Sequence, residues 1–251
     1  YGDSCFLDKF TYNFQRYEKV GIVGRNGAGK STFLNLLTGN FTPDMVVEAG
    51  SVISTESVIS TEVEKSAPGI MSGVIERGES LKIGYYHQSG MSFNPNDTVL
   101  DIVNDTWLLN RFLFPHEMLN NKIEKLSGGE KRRLYLLTIL MQQPNLLILD
   151  EPTNDLDIVT LNILEEYLKE FSGSLIIVSH DRHFLDKLVD HLFIFCGDGV
   201  VKDFVGTYSE YREYIKEYEA EQRSQARAEE KAAKEKAAKE AAANMTLDRK
   251  S

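Results

Sequence analysis

Apolar residues along this chain follow two spacings, and the switches between them predict its elements. In YEKVGIVGRNGAGKSTFLNLLTG, Tyr17 to Gly39, a short β-branched run gives way to a glycine-rich turn, then to helical spacing closed by Gly39. GVIERGESLKIGYYHQ, ending at Gln88, has two alternating runs around Arg77-Gly78-Glu79, which predicts a hairpin. Thr98 to Asn110 is helical in pattern, and LSGGEKRRLYLLTILMQQ predicts a helix from about Ser127 that ends near Pro144. NLLILDEP and GSLIIVSHD are continuous apolar runs, each closing on polar residues. Such runs suit strands covered on both faces, as in a parallel sheet with crossover helices.

Two stretches break the pattern. SVISTESVISTE is a six-residue duplication, Ser51–Glu56 followed by Ser57–Glu62, whose paired apolar residues fit neither a clean strand nor a helix face. Residues 44–72 are therefore expected to form a surface insertion, a loose hairpin or a partner contact. From Glu221 the chain is alanine with interleaved charge, and Glu230/Lys234 and Glu235/Lys239 sit at i,i+4 spacing. Without an apolar stripe, this tail predicts a solvated helical spacer. Before it, Tyr211, Tyr214, Ile215 and Tyr218 make a stripe expected to pack on the body. The division expected is a domain over 1–208 and a charged helical tail over 209–251.

Composition narrows the class. At 251 residues, with 42% hydrophobic and 26% charged residues, the chain can bury one good core. It has no apolar run of the ~18 residues that span a bilayer and no signal-peptide pattern, and a cytoplasmic location follows as the default. Cys5 and Cys196 make no close pair, which argues against a disulfide framework or a thiolate zinc site. The net charge is −10, and from Ser209 onward ten basic and ten acidic residues cancel, so the excess lies in the body. A bound polyanion must then be held locally, by aimed amides and one or two lysines.

The motifs supply such a grip. GRNGAGKS, Gly24 to Ser31, fits the phosphate-cradling G-x-x-x-x-G-K-[ST] loop between a strand and a helix. Its N–H groups would curl around phosphate oxygens, Lys30 would reach the β- and γ-phosphates, and the Ser31 hydroxyl would ligate Mg²⁺. LLILDEP places Asp150 at the end of a buried strand, where a nearby magnesium ion would relieve an unpaired carboxylate. Glu151, biased toward an extended conformation by Pro152, has the expected role of general base on water. His180 follows another apolar strand and is expected to bond the γ-phosphate, while Gln88 is placed to sense metal or attacking water. Ser127 and Glu130 form an S-x-x-E capping box. A cap seldom needs Gly128 and Gly129, which would let a bulky anion approach the amides of the helix start.

Taken in order, GRNGAGKS, Gln88, LSGGE, LLILDEP, NDLD and SHD resemble an ATP-binding cassette of the ABC superfamily, across nearly all of Tyr1 to Tyr218. The resemblance implies a P-loop NTPase α/β fold: an ABC-type ATPase domain with a mostly parallel core sheet, a small antiparallel β-subdomain, a short helical subdomain and a C-terminal charged helix. It further implies that Tyr1, Gly24, Asn26, Gly27, Ala28, Gly29, Lys30, Ser31, Thr32 and Asp150 hold ATP. Ser31, Gln88 and Asp150 would serve Mg²⁺, and Glu151, His180 and Gln88 catalysis. Ser127, Gly128 and Gly129 would cap ATP held by a second cassette in a head-to-tail pair, with Asn154 to Asp157 crossing the seam. EPTNDLD, SHDRHFLD and GTYSEY are similar to the ABC-F family, soluble paired cassettes acting on ribosomes, and the tail resembles the lead into a Uup-like coiled coil. The implied function is ATP hydrolysis by a cassette pair working on ribosomes. The alternative is the ATPase subunit of a membrane transporter. Against that stands the short interval of about 40 residues between Gln88 and Ser127. DNA binding is weaker still, because the tail has no net positive charge.

Overall fold

The computed structural model describes Leu7 and residues 10–39, 60–65, 71–87, 90–197, 199–218 and 220, with backbone alone for 60–65 and 71–74. Tyr1, Gln88, the first copy of the duplicated hexapeptide and the tail from Glu221 lie outside the described residues. The chain divides into two units, Tyr1–Tyr208 and Ser209–Ser251.

In the first unit, β1 (Lys19–Gly24) leads through the glycine turn into α1 (Lys30–Thr38). β2 (Ser60–Lys65) and β3 (Met71–Glu76) follow, then β4 (Ile83–Tyr86), α2 (Val99–Ile102), α3 (Thr106–Arg111) and α4 (Gly128–Leu140). β5 (Leu146–Asp150), α5 (Pro152–Asp155), α6 (Ile158–Glu170), β6 (Ser174–Val178), α7 (Arg182–Leu188), β7 (His191–Gly197) and β8 (Val200–Val205) complete it. The main sheet has the order β4-β5-β6-β1-β7-β8, parallel except for β8 against β7. β5 is buried along its whole length, as its unbroken apolar run requires.

Alternate residues of each strand point to opposite faces. Val20, Ile22, Ile148, Ile176, Val178, Phe193 and Phe195 share one buried cluster with Phe33, Leu34 and Leu37 of α1. Phe10 and Phe14 join it, Phe10 meeting Phe33 and Phe193 edge-on at 5.7 and 5.3 Å. On the other face Gly21 abuts Leu185 and Val189 at α7.

Two sequence expectations change here. The hairpin around Gly78 does not form: β3 pairs antiparallel with β2 in a separate two-stranded sheet, while β4 joins β5 in parallel. Asn145 decides this, since its Oδ1 accepts the Lys82 N–H at 2.7 Å and its Nδ2 donates to the Ser80 carbonyl at 2.7 Å. Those bonds draw the second run to the main sheet. Gly84 then lets β4 lie against α4, because a Cβ there would come within 2.8 Å of Ile139. Within the expected insertion, the second hexapeptide copy runs into β2 at Ser60, one half of the antiparallel β2–β3 pair. The helix over Thr98 to Asn110 is two short ones. Asp105 takes the Leu108 N–H at 3.0 Å and starts α3 anew, a capping preference that wins over continuing the first helix.

Arg77 fastens the strand segment to α1, donating to the Leu36 and Leu37 carbonyls at 3.0 and 3.3 Å. A cation on orphan carbonyls favours a helix C-terminus.

At the amino end of β7, His191 lies between two carboxylates. Its Nδ1 is 2.8 Å from Glu18 and 3.0 Å from the Tyr12 hydroxyl, and its Nε2 contacts Asp203. The Glu18 bond raises the His191 pKa above the imidazole range against the opposing effect of burial. The Glu18 pKa is lowered despite burial, through bonds from His191, Tyr12 and the Gln15 amide. A raised imidazolium stabilises fully below its unfolded value, and that contribution fades as pH climbs through the folded value. A lowered carboxylate contributes above its unfolded value and fades as pH falls through the folded one. Both act together between about pH 4.5 and 6.5. Urea unfolding at rising pH above this window should show the parent losing more stability than His191→Gln. Equal slopes would refute the assignment.

In the second unit, residues 209–218 are helical. The Tyr214 and Tyr218 rings stack at 6.3 Å, as i,i+4 neighbours on one helix face.

Candidate nucleotide-binding site

At the carboxyl ends of parallel strands, backbone N–H groups and helix starts open toward one edge, where α/β sheets bind ligands. β1, β5 and β6 deliver the motifs to this edge. Gly24 closes β1 under the backbone of β7; a Cβ there would lie 2.6 Å from the Phe195 carbonyl oxygen, so no larger residue fits. The Ala28 N–H bonds the Arg25 carbonyl at 3.2 Å, and Gly29, left-handed at φ 100°, caps α1. Asn26 and Gly27 form the exposed rim, with Ala28 and Thr32 partly buried behind it.

Lys30 is buried and turns back on the turn that carries it, donating to the Gly24 and Arg25 carbonyls at 2.9 and 3.1 Å. Burial lowers its pKa, opposed by the negative charges of Glu151 and Asp150. Ser31 hydrogen-bonds the Asp150 carboxylate, and the Tyr85 hydroxyl donates to Asp150 Oδ2 at 3.4 Å. Asp150 is 3% exposed, and its burial raises its pKa against the pull of His87, Tyr85 and Lys30.

Glu151 departs from expectation. It is not extended but left-handed, at φ 52° and ψ 49°. Its N–H still extends the sheet, donating to the Val178 carbonyl at 2.9 Å, while its own carbonyl takes the Asn154 N–H at 3.2 Å to begin α5. One residue must end a strand and start a helix, and Pro152 disfavours the right-handed region before it. The left-handed basin is what remains, at a cost of about 1–3 kcal/mol. Oε1 meets His180 Nε2 at 3.3 Å, whereas Oε2 is buried with no hydrogen-bond partner among the described residues. Burial raises the Glu151 pKa, with His180 acting in the opposite sense. His180 is thus seated on Glu151 with its side chain largely exposed.

Ser127 caps α4 as expected: its hydroxyl accepts the Glu130 N–H at 3.3 Å, and the Glu130 carboxylate accepts the Ser127 N–H at 2.7 Å. Gly128 and Gly129 are exposed, and a Cβ on either would meet nothing within 4 Å. Among the described residues nothing crowds either position enough to require glycine there.

The NDLD segment is partly engaged at home. Asp155 ion-pairs with Arg132, and Asp157 caps α6 through the Thr160 N–H at 3.0 Å while facing Arg133 at 3.7 Å. Asn154 is exposed. Sequence reasoning missed Tyr85, Arg132 and Arg133; no spacing signal joins residues so distant along the chain. It also missed the Thr153–Ser179 hydroxyl contact of 3.0 Å, which ties α5 to the end of β6.

The family model described as ABC transporter matches residues 7–154. The chain belongs to this family. As an ATP-binding cassette it is 42% identical over 231 residues to an uncharacterized ABC transporter ATP-binding protein, YfmR, of Bacillus subtilis, spanning 86% of this chain and 32% of that protein. It is 36% identical to the ATP-binding protein Uup-like of Haemophilus influenzae, over 80% of the cassette and 41% of the relative. Against the energy-dependent translational throttle protein EttA of Escherichia coli K12 it is 35% identical, over 86% and 37%. The cassette thus spans roughly a third of the length of these relatives. Among solved structures, the ATP-binding subunit of an ABC transporter superposes with a TM-score of 0.61 at 19% identity, covering 84% of the cassette and 87% of that chain. A dimeric, post-hydrolysis cassette bound to ADP and Pi gives 0.56 at 20%, over 80% and 90%. These likenesses establish the ABC ATPase fold, with its mostly parallel sheet. No described helix is long and apolar enough to cross a membrane.

Proposed function

We propose that this cassette binds MgATP on its glycine turn and hydrolyses it when paired head-to-tail with a second cassette, in a protein that acts on ribosomes. One observation carries the reading. Lys30, Ser31, Asp150 and Glu151 converge at one sheet edge, while the Gly128–Gly129 helix start stands open, with no described residue that would crowd a side chain there.

The residues present fit the nucleotide and its metal. Glu151 leaves a buried carboxylate oxygen unpaired, and the Ser31–Asp150 contact brings the two described magnesium-ligand candidates together. Among the described residues no cluster of three or more metal-ligating side chains exists, and magnesium at phosphoryl sites uses few protein ligands. When bound, magnesium supplies charge neutralisation between phosphates. Lys30 exchanges its carbonyl partners for phosphate oxygens, and the turn's N–H groups orient them. Glu151, its basicity increased by burial, accepts a proton from attacking water, and His180 steadies it. Ser127 and the N–H groups of the facing α4 close the site.

The names of the relatives support two settings. EttA is called a translational throttle, which favours the ribosome, and YfmR is called an ABC transporter ATP-binding protein, which favours a membrane partner. Sedimentation of the full-length chain with ribosomes tests the choice. A non-hydrolysable ATP analogue should strengthen association; co-purification with a transmembrane subunit and no nucleotide-dependent sedimentation would overturn the ribosomal reading.

A further inference from the structure

Helix α4 carries more than the open glycine start. One turn into it, Arg132 pairs with Asp155, the last residue of the one-turn α5 that hangs from Glu151. Asp155 is nearly buried, at 9% side-chain exposure, and its second oxygen has no partner among the described residues. Arg132 also hydrogen-bonds Tyr86 at the end of β4. Three residues on, Tyr135 donates its hydroxyl hydrogen to the Tyr85 carbonyl at 3.2 Å and receives the His87 N–H at 3.3 Å. Residues three apart share a helix face. The same face of α4 therefore touches both segments that lead into the nucleotide edge, β4 and α5.

Left-handed geometry at a residue with a side chain persists only when its surroundings over-determine it. Around Glu151 the fastenings are the Val178 carbonyl, the Asn154 N–H, the Thr153–Ser179 hydroxyl contact and the Arg132–Asp155 pair. The first three arise within β6, its end and α5 itself. The Arg132–Asp155 pair comes from α4, whose amino end is the part offered to a second cassette.

We propose that Arg132 is a positioning residue: its ion pair with Asp155 holds the Glu151 turn in register with α4, so that Glu151 is aligned for water only while α4 is correctly seated. The inference rests on the cassette-pair reading above and gives it an internal link between the cap offered outward and the base used at home. No bond to the reacting atoms is involved, so ATP affinity should be nearly untouched while turnover falls.

Steady-state ATP turnover of the full-length chain tests this with Arg132→Ala, Arg132→Lys, Asp155→Asn, the single reversals Arg132→Asp and Asp155→Arg and the swapped pair that combines them, beside Glu151→Gln. A displaced base lowers kcat by about 10- to 100-fold with KM for ATP changed less than about threefold. Arg132→Lys should recover part of the loss, and the swapped pair should exceed either single reversal. Circular dichroism gives the folded fraction of each variant. If kcat per folded molecule stays within about twofold of the parent while Glu151→Gln is inactive, the positioning role fails and the cassette reading survives. If Glu151→Gln retains turnover, the proposed role of Glu151 as base fails and the inference goes with it.

Discussion

Glu151→Gln should cut ATP turnover by about 100-fold or more while leaving nucleotide binding intact, and ATP should then hold two cassettes together. The substitution removes the proton acceptor but keeps the volume and the amide that donates to Val178, so the left-handed turn need not move. It also removes a charge that burial disfavours, on a residue with one oxygen already unpaired. Stability should therefore hold or rise. Phosphate release measures the first effect, and gel filtration with and without ATP the second. Turnover within about tenfold of the parent would remove Glu151 from the chemistry. Monomers alone, in ATP and at high protein concentration, would remove the paired sandwich.

A bulkier residue at Gly129 should separate folding from function more sharply still. Among the described residues a Cβ at Gly129 has open space around it, so the first carbon of a Gly129→Leu side chain meets no clash. Leucine is also the better helix former, by about 0.8 kcal/mol in a helix interior and less near the start. The thermal midpoint should stay put or rise. If the helix start caps a partner's triphosphate, the side chain blocks the amides that neutralise developing charge. Turnover then drops by about 100-fold, the scale of losing one preorganised donor. The informative result is the combination, an intact fold with lost turnover, read by calorimetry and phosphate release on the same preparation. A fold weakened by more than about 1 kcal/mol would show that the glycines serve their own helix.

The legibility of these residues in the sequence is uneven. Motifs set by local geometry are plain: the glycine turn between strand and helix, the capping box at Ser127, the buried run ending at Asp150. Glu151 is a different case. Pro152 points toward an extended residue, but the sheet bond to Val178 and the start of α5 together demand a left-handed one. The run before Gln88 reads as half of a hairpin because its alternation is indifferent to which partner it finds. Asn145 supplies the partner from across the sheet.

Local patterning along the chain is enough to name the chemistry it carries: phosphate-binding amides, a lysine, two carboxylates at a strand end and a helix start stripped of side chains. Short-range rules suffice for these, because turn, cap and strand signals act over a few residues. Tertiary structure alone decided the conformation of Glu151, the sheet that β4 joins, and the grip of Arg132 on Asp155. Each depends on residues distant along the chain meeting across a packed core, and no local pattern records which of many compatible partners the fold will bring within reach.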